Sequence, residues 1–284
     1  RDSSTSRGLG DVYKRQILDI KGGLNDVVMN NSPIDIDKLI EGTNEILTAN
    51  RNSLQLFDML HSMRQFDDLT YVHSVNVALI ASILGQWLKF SEKDIRILTI
   101  SGLLHDIGKI MIPNEILTKP GKLTVAEYNI MKQHVNFGYE KVKNQNIDIR
   151  IKEACLLHHE KCDGTGYPFG LKSDHIPAVA KIIAIADVYD AMTSARVYRG
   201  ALCPFEVIDT MYKDAFTKFE PEYILPFLKN VASSYINNDV RLSDGRIGKV
   251  VLINENALSL PIVQCEDEFI DLSKTRELTV SAIL

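Results

Sequence analysis

Several things are missing from this chain, and each absence removes a class of function. No uninterrupted apolar run approaches the roughly 18 to 20 residues of a bilayer-crossing helix, so no membrane span is predicted. Positive charge is not in excess: 32 Lys and Arg face 37 Asp and Glu, giving a formal net charge of −5 and a pI near 5.8. A DNA or RNA polymer, or an anionic membrane, needs a basic face and is excluded as a broad partner. A small phosphate ligand is not excluded, because a few local cations can hold it. The four cysteines, at 155, 162, 203 and 265, form no CxxC pair or regular framework. They read as reduced thiols of a cytoplasmic protein. There is no internal repeat or low-complexity tract, and no apolar stretch of the kind a signal peptide carries. Residues 1–16 are polar, Ser/Arg-rich and aperiodic, and are expected to be a non-native or disordered remnant outside the fold.

With 45 % hydrophobic and 24 % charged residues in 284, the chain can bury a full core and has room for one large domain plus an appendage. Apolar residues recur at helical spacing over Ile34 to Leu47 and Leu54 to Met63, which predicts a helical segment across 17–66. Further helices are expected over Leu69 to Leu88, Asp94 to Ile107, Thr124 to Val142, Ile149 to His159, Val179 to Met192, Pro204 to Lys218 and Pro221 to Ser234. These make up a body over 67–236. From Asp239 the texture turns to short β-prone runs, and Ser243-Asp244-Gly245-Arg246 signals a hairpin between the first two. The expected fold is mainly α, a helical bundle with a small antiparallel β appendage over 237–284.

Histidine carries the chemistry. Five of the seven stand at His73, His105, His134, His158 and His159, accompanied by Asp106 and Asp187. A lone helical histidine is ordinarily a core or surface residue, but a set on predicted helices can point into one cavity, as in bundle metal proteins. His105-Asp106 follows the apolar run Ile97 to Leu104, where an ionised aspartate is costly unless paired or metal-bound. Adjacent helix residues point about 100° apart. His158 and His159 can therefore share a partner only at a frayed helix end, which Gly164 and Gly166 soon supply. Asp187 follows the apolar stretch that begins at Ala180, and backbone hydrogen bonding at a helix end is its plainer alternative. Lys109 is four residues after His105, a spacing that reaches the same helix face, although a helix-end lysine also simply complements the dipole. Arg196 and Arg199 are at i, i+3, and guanidinium forks suit phosphate oxygens.

Four strings carry a family resemblance: His105-Asp106-Ile107-Gly108-Lys109, Met131-Lys132-Gln133-His134, the run from His158-His159-Glu160 to Gly166-Tyr167-Pro168, and Asp187-Val188-Tyr189-Asp190-Ala191-Met192-Thr193-Ser194. Over about Asp67 to Lys218 the chain resembles the HD-GYP family, HD-superfamily phosphodiesterases that open cyclic di-GMP. The resemblance implies an HD-superfamily helical bundle and metal ligation by His73, His105, Asp106, His134, His158, His159 and Asp187. It further implies that Asp106 bridges two metals, with His73, His105 and Asp187 on one and His134, His158 and His159 on the other. Two divalent ions can activate a bridging water for in-line attack and neutralise phosphoryl charge. Asp106 and Lys109 would then be catalytic, and Gly166, Tyr167, Arg196 and Arg199 would bind substrate. Imidazole and carboxylate ligands suit iron, manganese, zinc or nickel; the resemblance favours iron or manganese. Some members add a glutamate four residues before the first His to hold a third metal. Leu69 stands there, which favours two metals.

The expected activity is hydrolysis of cyclic di-GMP to pGpG, and onward to GMP as a further step. The competing readings are a cyclic-dinucleotide receptor that cleaves poorly and an HD hydrolase for another nucleotide. The N-terminal helices are candidates for contact with a second copy or a signalling partner.

Overall fold

A computed structural model describes residues 3–49, 56, 57, 60, 69–194, 202–275 and 277–284. The chain divides into two compact units, residues 1–190 and 191–284.

The first unit is helical. Helix α1 (Ser3–Asn30) begins inside the stretch set aside above and is followed by α2 (Ile36–Ala49). The expected helix from Leu54 to Met63 lies mostly outside the described residues; of those described, Leu56, Phe57 and Leu60 are buried. The turn after α1 is tied to the body: the Lys141 ammonium donates to the Val28 carbonyl at 2.8 Å, and the Gln145 amide bridges Ile34 N and Ser32 O at 3.2 Å each.

Helices α3 (Leu69–Trp87) and α4 (Glu92–Leu104) pack against each other at the centre of this unit. From Val75 to Leu84 the described side chains of α3 are buried all round, consistent with the absence of a polar stripe. Ser91 caps α4 by accepting the Asp94 N–H at 3.2 Å, which sets its first turn. The chain then tightens into a 3₁₀ turn, Ile107–Met111. Helices α5 (Asn114–Leu117), α6 (Val125–Met131), α7 (His134–Val142), α8 (Ile149–Leu157) and α9 (Ala178–Thr193) follow, with a short 3₁₀ turn at Ser173–His175.

The single helix expected over Thr124 to Val142 is two helices. α6 opens with a full capping box between Thr124 and Glu127 and ends at Met131, whose carbonyl faces the His134 ring nitrogen at 2.7 Å. That side-chain bond occupies a carbonyl at the helix end, and the chain turns there before α7 begins.

The second unit has two helices and a sheet. α10 (Pro204–Asp214) and α11 (Pro221–Ser234) each place proline in the first turn, where its missing N–H is harmless. Five antiparallel strands follow: β1 (Asp239–Leu242), β2 (Ile247–Leu252), β3 (Ile262–Cys265), β4 (Glu268–Asp271) and β5 (Val280–Ile283), in the order β4-β3-β2-β1-β5. The expected hairpin pairs Asp239 with Lys249 and Arg241 with Ile247, and Gly245 turns it at φ +92°. β3 begins only at Ile262 because Leu260 N donates to Ala257 O in a turn and Pro261 has no N–H to donate. β5, which pairs with β1, was not expected.

Candidate metal centre

All seven predicted ligands come together in the first unit. His73 is on α3, Asp187 is on α9, and His134 opens α7. His105-Asp106 and His158-His159 sit where α4 and α8 end. α8 stops at Leu157 and His158 caps it, so the pair straddles a helix end as its spacing required, with ring centroids 4.2 Å apart.

Three of the rings are fixed in the same way. Nδ1 of His105 lies 2.7 Å from Gly102 O, that of His134 2.7 Å from Met131 O, and that of His158 3.0 Å from Ala154 O. A carbonyl only accepts, so Nδ1 carries the proton and Nε2 of the neutral ring presents a lone pair. The helix-end carbonyls thus set the tautomer that a metal ligand needs. His73 is held by Asp190, whose Oδ2 is 2.7 Å from Nδ1 and whose Oδ1 accepts from the Asn76 amide at 2.9 Å.

These nitrogens surround Asp106. Its Oδ2 is 3.3 Å from His105 Nε2 and 3.6 Å from His73 Nε2, while Oδ1 is 3.3 Å from His134 Nε2 and 3.8 Å from His158 Nε2. Asp187 approaches His73 Nε2 at 3.0 Å and His159 Nδ1 at 3.8 Å. Potential donor atoms gather into three overlapping groups: Asp106, His134, His158 and His159; His73, His105 and Asp106; and His105, His158 and Asp187. Shared members mean that the distances gather the set without dividing it cleanly into two.

The set fits metal ions. His105 Nε2 and Asp106 Oδ1 are buried without a hydrogen-bond partner, an arrangement that native interiors avoid. His134 Nε2 and His158 Nε2 face each other at 3.5 Å, two lone pairs that repel unless a cation lies near both. Burial keeps His134 and His158 below the ordinary imidazole range, and pulls His159 down to about 3. Burial also opposes charge on His73, but Asp187 and Asp190 outweigh it and hold that ring up at about 9. The same burial works against ionised Asp106 and Asp187, yet Lys109 and His105 around the first, and His73 beside the second, keep both well below the usual carboxylate range. The neutral rings of His134, His158 and His159 and the anionic carboxylates form a donor set for divalent cations, which His73 joins on giving up its proton.

Lys109 reaches the centre by a different route from the one its spacing suggested. The 3₁₀ turn places it three residues after Asp106, and its ammonium ion-pairs with Asp106 Oδ2. Tyr167 stacks on His159 at 4.7 Å between centroids with a 29° tilt, and the peptide to Pro168 is cis. Gly166 passes so close to the His pair that a Cβ there would lie 2.5 Å from His159 O and Glu160 Cα. Arg196 and Arg199 lie outside the described residues.

Two residues missed in the sequence support the centre. Asp190 was readable, since i, i+3 from Asp187 shares a helix face. Glu160 had no comparable signal. Its carboxylate is buried and accepts three backbone N–H groups, from Phe169 at 2.7 Å, Gly170 at 3.1 Å and Leu171 at 2.8 Å, fastening the return of the Gly-rich loop. Asp163 accepts from Thr165 N at 2.9 Å and Thr165 Oγ1 at 2.7 Å within that loop.

Such a cluster on a helical scaffold defines a class. A family model described as HD domain matches residues 41–223, and the chain belongs to that family, in its HD-GYP branch. It is 36 % identical over 203 residues to a cyclic di-GMP phosphodiesterase of Pseudomonas aeruginosa, covering 71 % of this chain and 49 % of that protein. A cyclic di-GMP phosphodiesterase response regulator of Xanthomonas campestris is 36 % identical over 197 residues, with 69 % and 52 % covered. A 3′3′-cGAMP-specific phosphodiesterase of Vibrio cholerae is 30 % identical over 216 residues, with 75 % and 40 % covered. The chain thus spans about half the length of the first two relatives. Among solved structures, an HD-GYP-type protein from Bdellovibrio bacteriovorus superposes with a TM-score of 0.56 at 18 % identity, over 80 % of this chain and 73 % of that one, and shares the fold. Among the described residues, no helix is long and apolar enough to cross a membrane.

Proposed function

We propose that this chain is a cytoplasmic, metal-dependent phosphodiesterase that opens cyclic di-GMP, with pGpG or, after a second cleavage, GMP as the end product. The observation that supports this most is Asp106: its two oxygens face different imidazoles, and Oδ1 is buried without a hydrogen-bond partner. In this reading His73, His105, Asp106, His134, His158, His159 and Asp187 would together hold two divalent ions, iron or manganese, with Asp106 placed to be shared between them. When bound, such ions supply an activated water and screen phosphoryl charge.

The chain's own residues do the rest. Carbonyl and carboxylate partners hold the rings, so little reorganisation is needed at each turnover. Lys109, paired with Asp106, is a cation within reach of an arriving phosphate, where it stabilises an oxygen or protonates the leaving one. Gly166 and Tyr167 shape the wall, and Arg196 and Arg199 hold the phosphate that is not cut. The helices of 17–66 carry contact with a second copy or signalling partner, and 237–284 forms an appendage to the 67–236 body.

The test is anaerobic incubation of protein carrying Fe(II), Mn(II) or no metal with cyclic di-GMP and, separately, 3′3′-cGAMP, with products separated by chromatography. pGpG or GMP formed only with metal is expected. Tight binding without turnover would convert the reading to a receptor. Cleavage confined to 3′3′-cGAMP, the substrate named for the Vibrio relative, would change the substrate.

A further inference from the structure

The proposed centre continues outward as a chain of rings. Tyr167 lies on His159, and the edge of Tyr128 meets Tyr167 at 6.5 Å between centroids and 81°. Tyr128 is on α6, outside every motif identified in the sequence, and remains 46 % exposed. Lys132 lies one helical turn further on, its Nζ 5.3 Å from the Tyr128 centroid and 6.0 Å from that of Tyr167. An exposed tyrosine with lysine at i+4 is by itself an ordinary surface pair. This one is not isolated: its neighbour's ring stacks on an imidazole of the candidate metal centre, so the exposed aromatic ring is two ring contacts away from the clustered donors. Aromatic faces of this kind hold nucleobases by stacking.

We infer that Tyr128 is a base-stacking residue of the site, taking one purine of the substrate against its open surface while the Lys132 ammonium steadies the ring from the other side. The inference rests on the nucleotide reading above and adds to it a residue that touches the base. Tyr128 thereby favours substrates with a planar base next to the reacting phosphate over simple phosphodiesters.

Calorimetry of the full, metal-loaded chain with GMP and with ribose 5-phosphate, which keeps the phosphate and sugar but has a hydroxyl in place of the base, tests this. Cyclic di-GMP turnover by the unaltered protein is followed in parallel. Tyr128→Ala should weaken GMP about tenfold, and Tyr128→Phe, which keeps the ring, should restore it. Ribose 5-phosphate affinity and metal content should stay unchanged in both variants. Unchanged GMP affinity in Tyr128→Ala would overturn the inference, as would an equal loss for both ligands, which would mean a disturbed phosphate site. Selective loss of GMP binding alongside absent turnover would uphold Tyr128 while overturning the phosphodiesterase reading. A protein that binds neither ligand and cleaves nothing would overturn both.

Discussion

The two units bury different things. The first encloses His105, Asp106, His134, His158, Glu160, Asp187 and Asp190, whereas the described residues of the second bury no charged group, and Phe205, Phe227, Ile224 and Val263 fill an apolar interior. An apolar core is the stable default. Buried acids are tolerated only where each has a partner, so the first unit gives up stability to hold its His/Asp cluster, and the described residues of the second carry no such cluster.

The strongest way to break the contrast is Asp106→Ala. It should remove bound metal, read by elemental analysis, and lower cyclic di-GMP turnover by about 10³-fold or more, the scale of losing a principal charge-stabilising group. Metal retained at the wild-type level would contradict the proposed bridge. Next is Asp190→Ala, which frees Nδ1 of His73; metal affinity by chelator competition should fall roughly 10- to 100-fold, and added metal should restore turnover.

The metal-free protein should also show a pH signature in the first unit. His73 is raised from 6.5 to about 9, so its contribution is full below pH 6.5 and lost as pH climbs through 9. His134, His158 and His159 are lowered, so stability falls as pH drops below 6.5 and the unfolded chain takes up their protons. Urea denaturation should therefore show a maximum between these flanks, and a flat profile from pH 5 to 9 would contradict the electrostatics. Glu160→Gln keeps an acceptor for Phe169 and Gly170 but turns an amide toward the Leu171 N–H, and should cost about 1–3 kcal/mol in the same assay. At the small end, Ile224→Val in the second unit should cost about 1 kcal/mol and leave metal content and turnover as they were.

The centre was legible because its atoms are rare. Histidines at helix ends and aspartates after apolar runs are anomalies that ordinary packing does not produce, and six such positions fell into one place with His73 of α3. Glu160 was not legible, since an acid after two histidines reads as a solvated side chain until the loop closes on it. The turn between α6 and α7 escaped because apolar spacing runs through it, while the cause is a ring bonding a backbone carbonyl. β5 escaped for a related reason: Val280–Ile283 is short, and its pairing with β1 is made across a long stretch of chain.

The bonds from His105, His134 and His158 to Gly102, Met131 and Ala154 have a kinetic consequence. Each donor nitrogen is hydrogen-bonded to the last turn of a helix or to the turn between helices, so local opening of that turn releases its ring. Fraying of any one swings its ring away, so amide exchange there and escape of the ion are two records of one event. Hydrogen exchange of those turns and the off-rate into a chelator should slow together as metal is added, making ion residence time a clock for the opening of three helix ends.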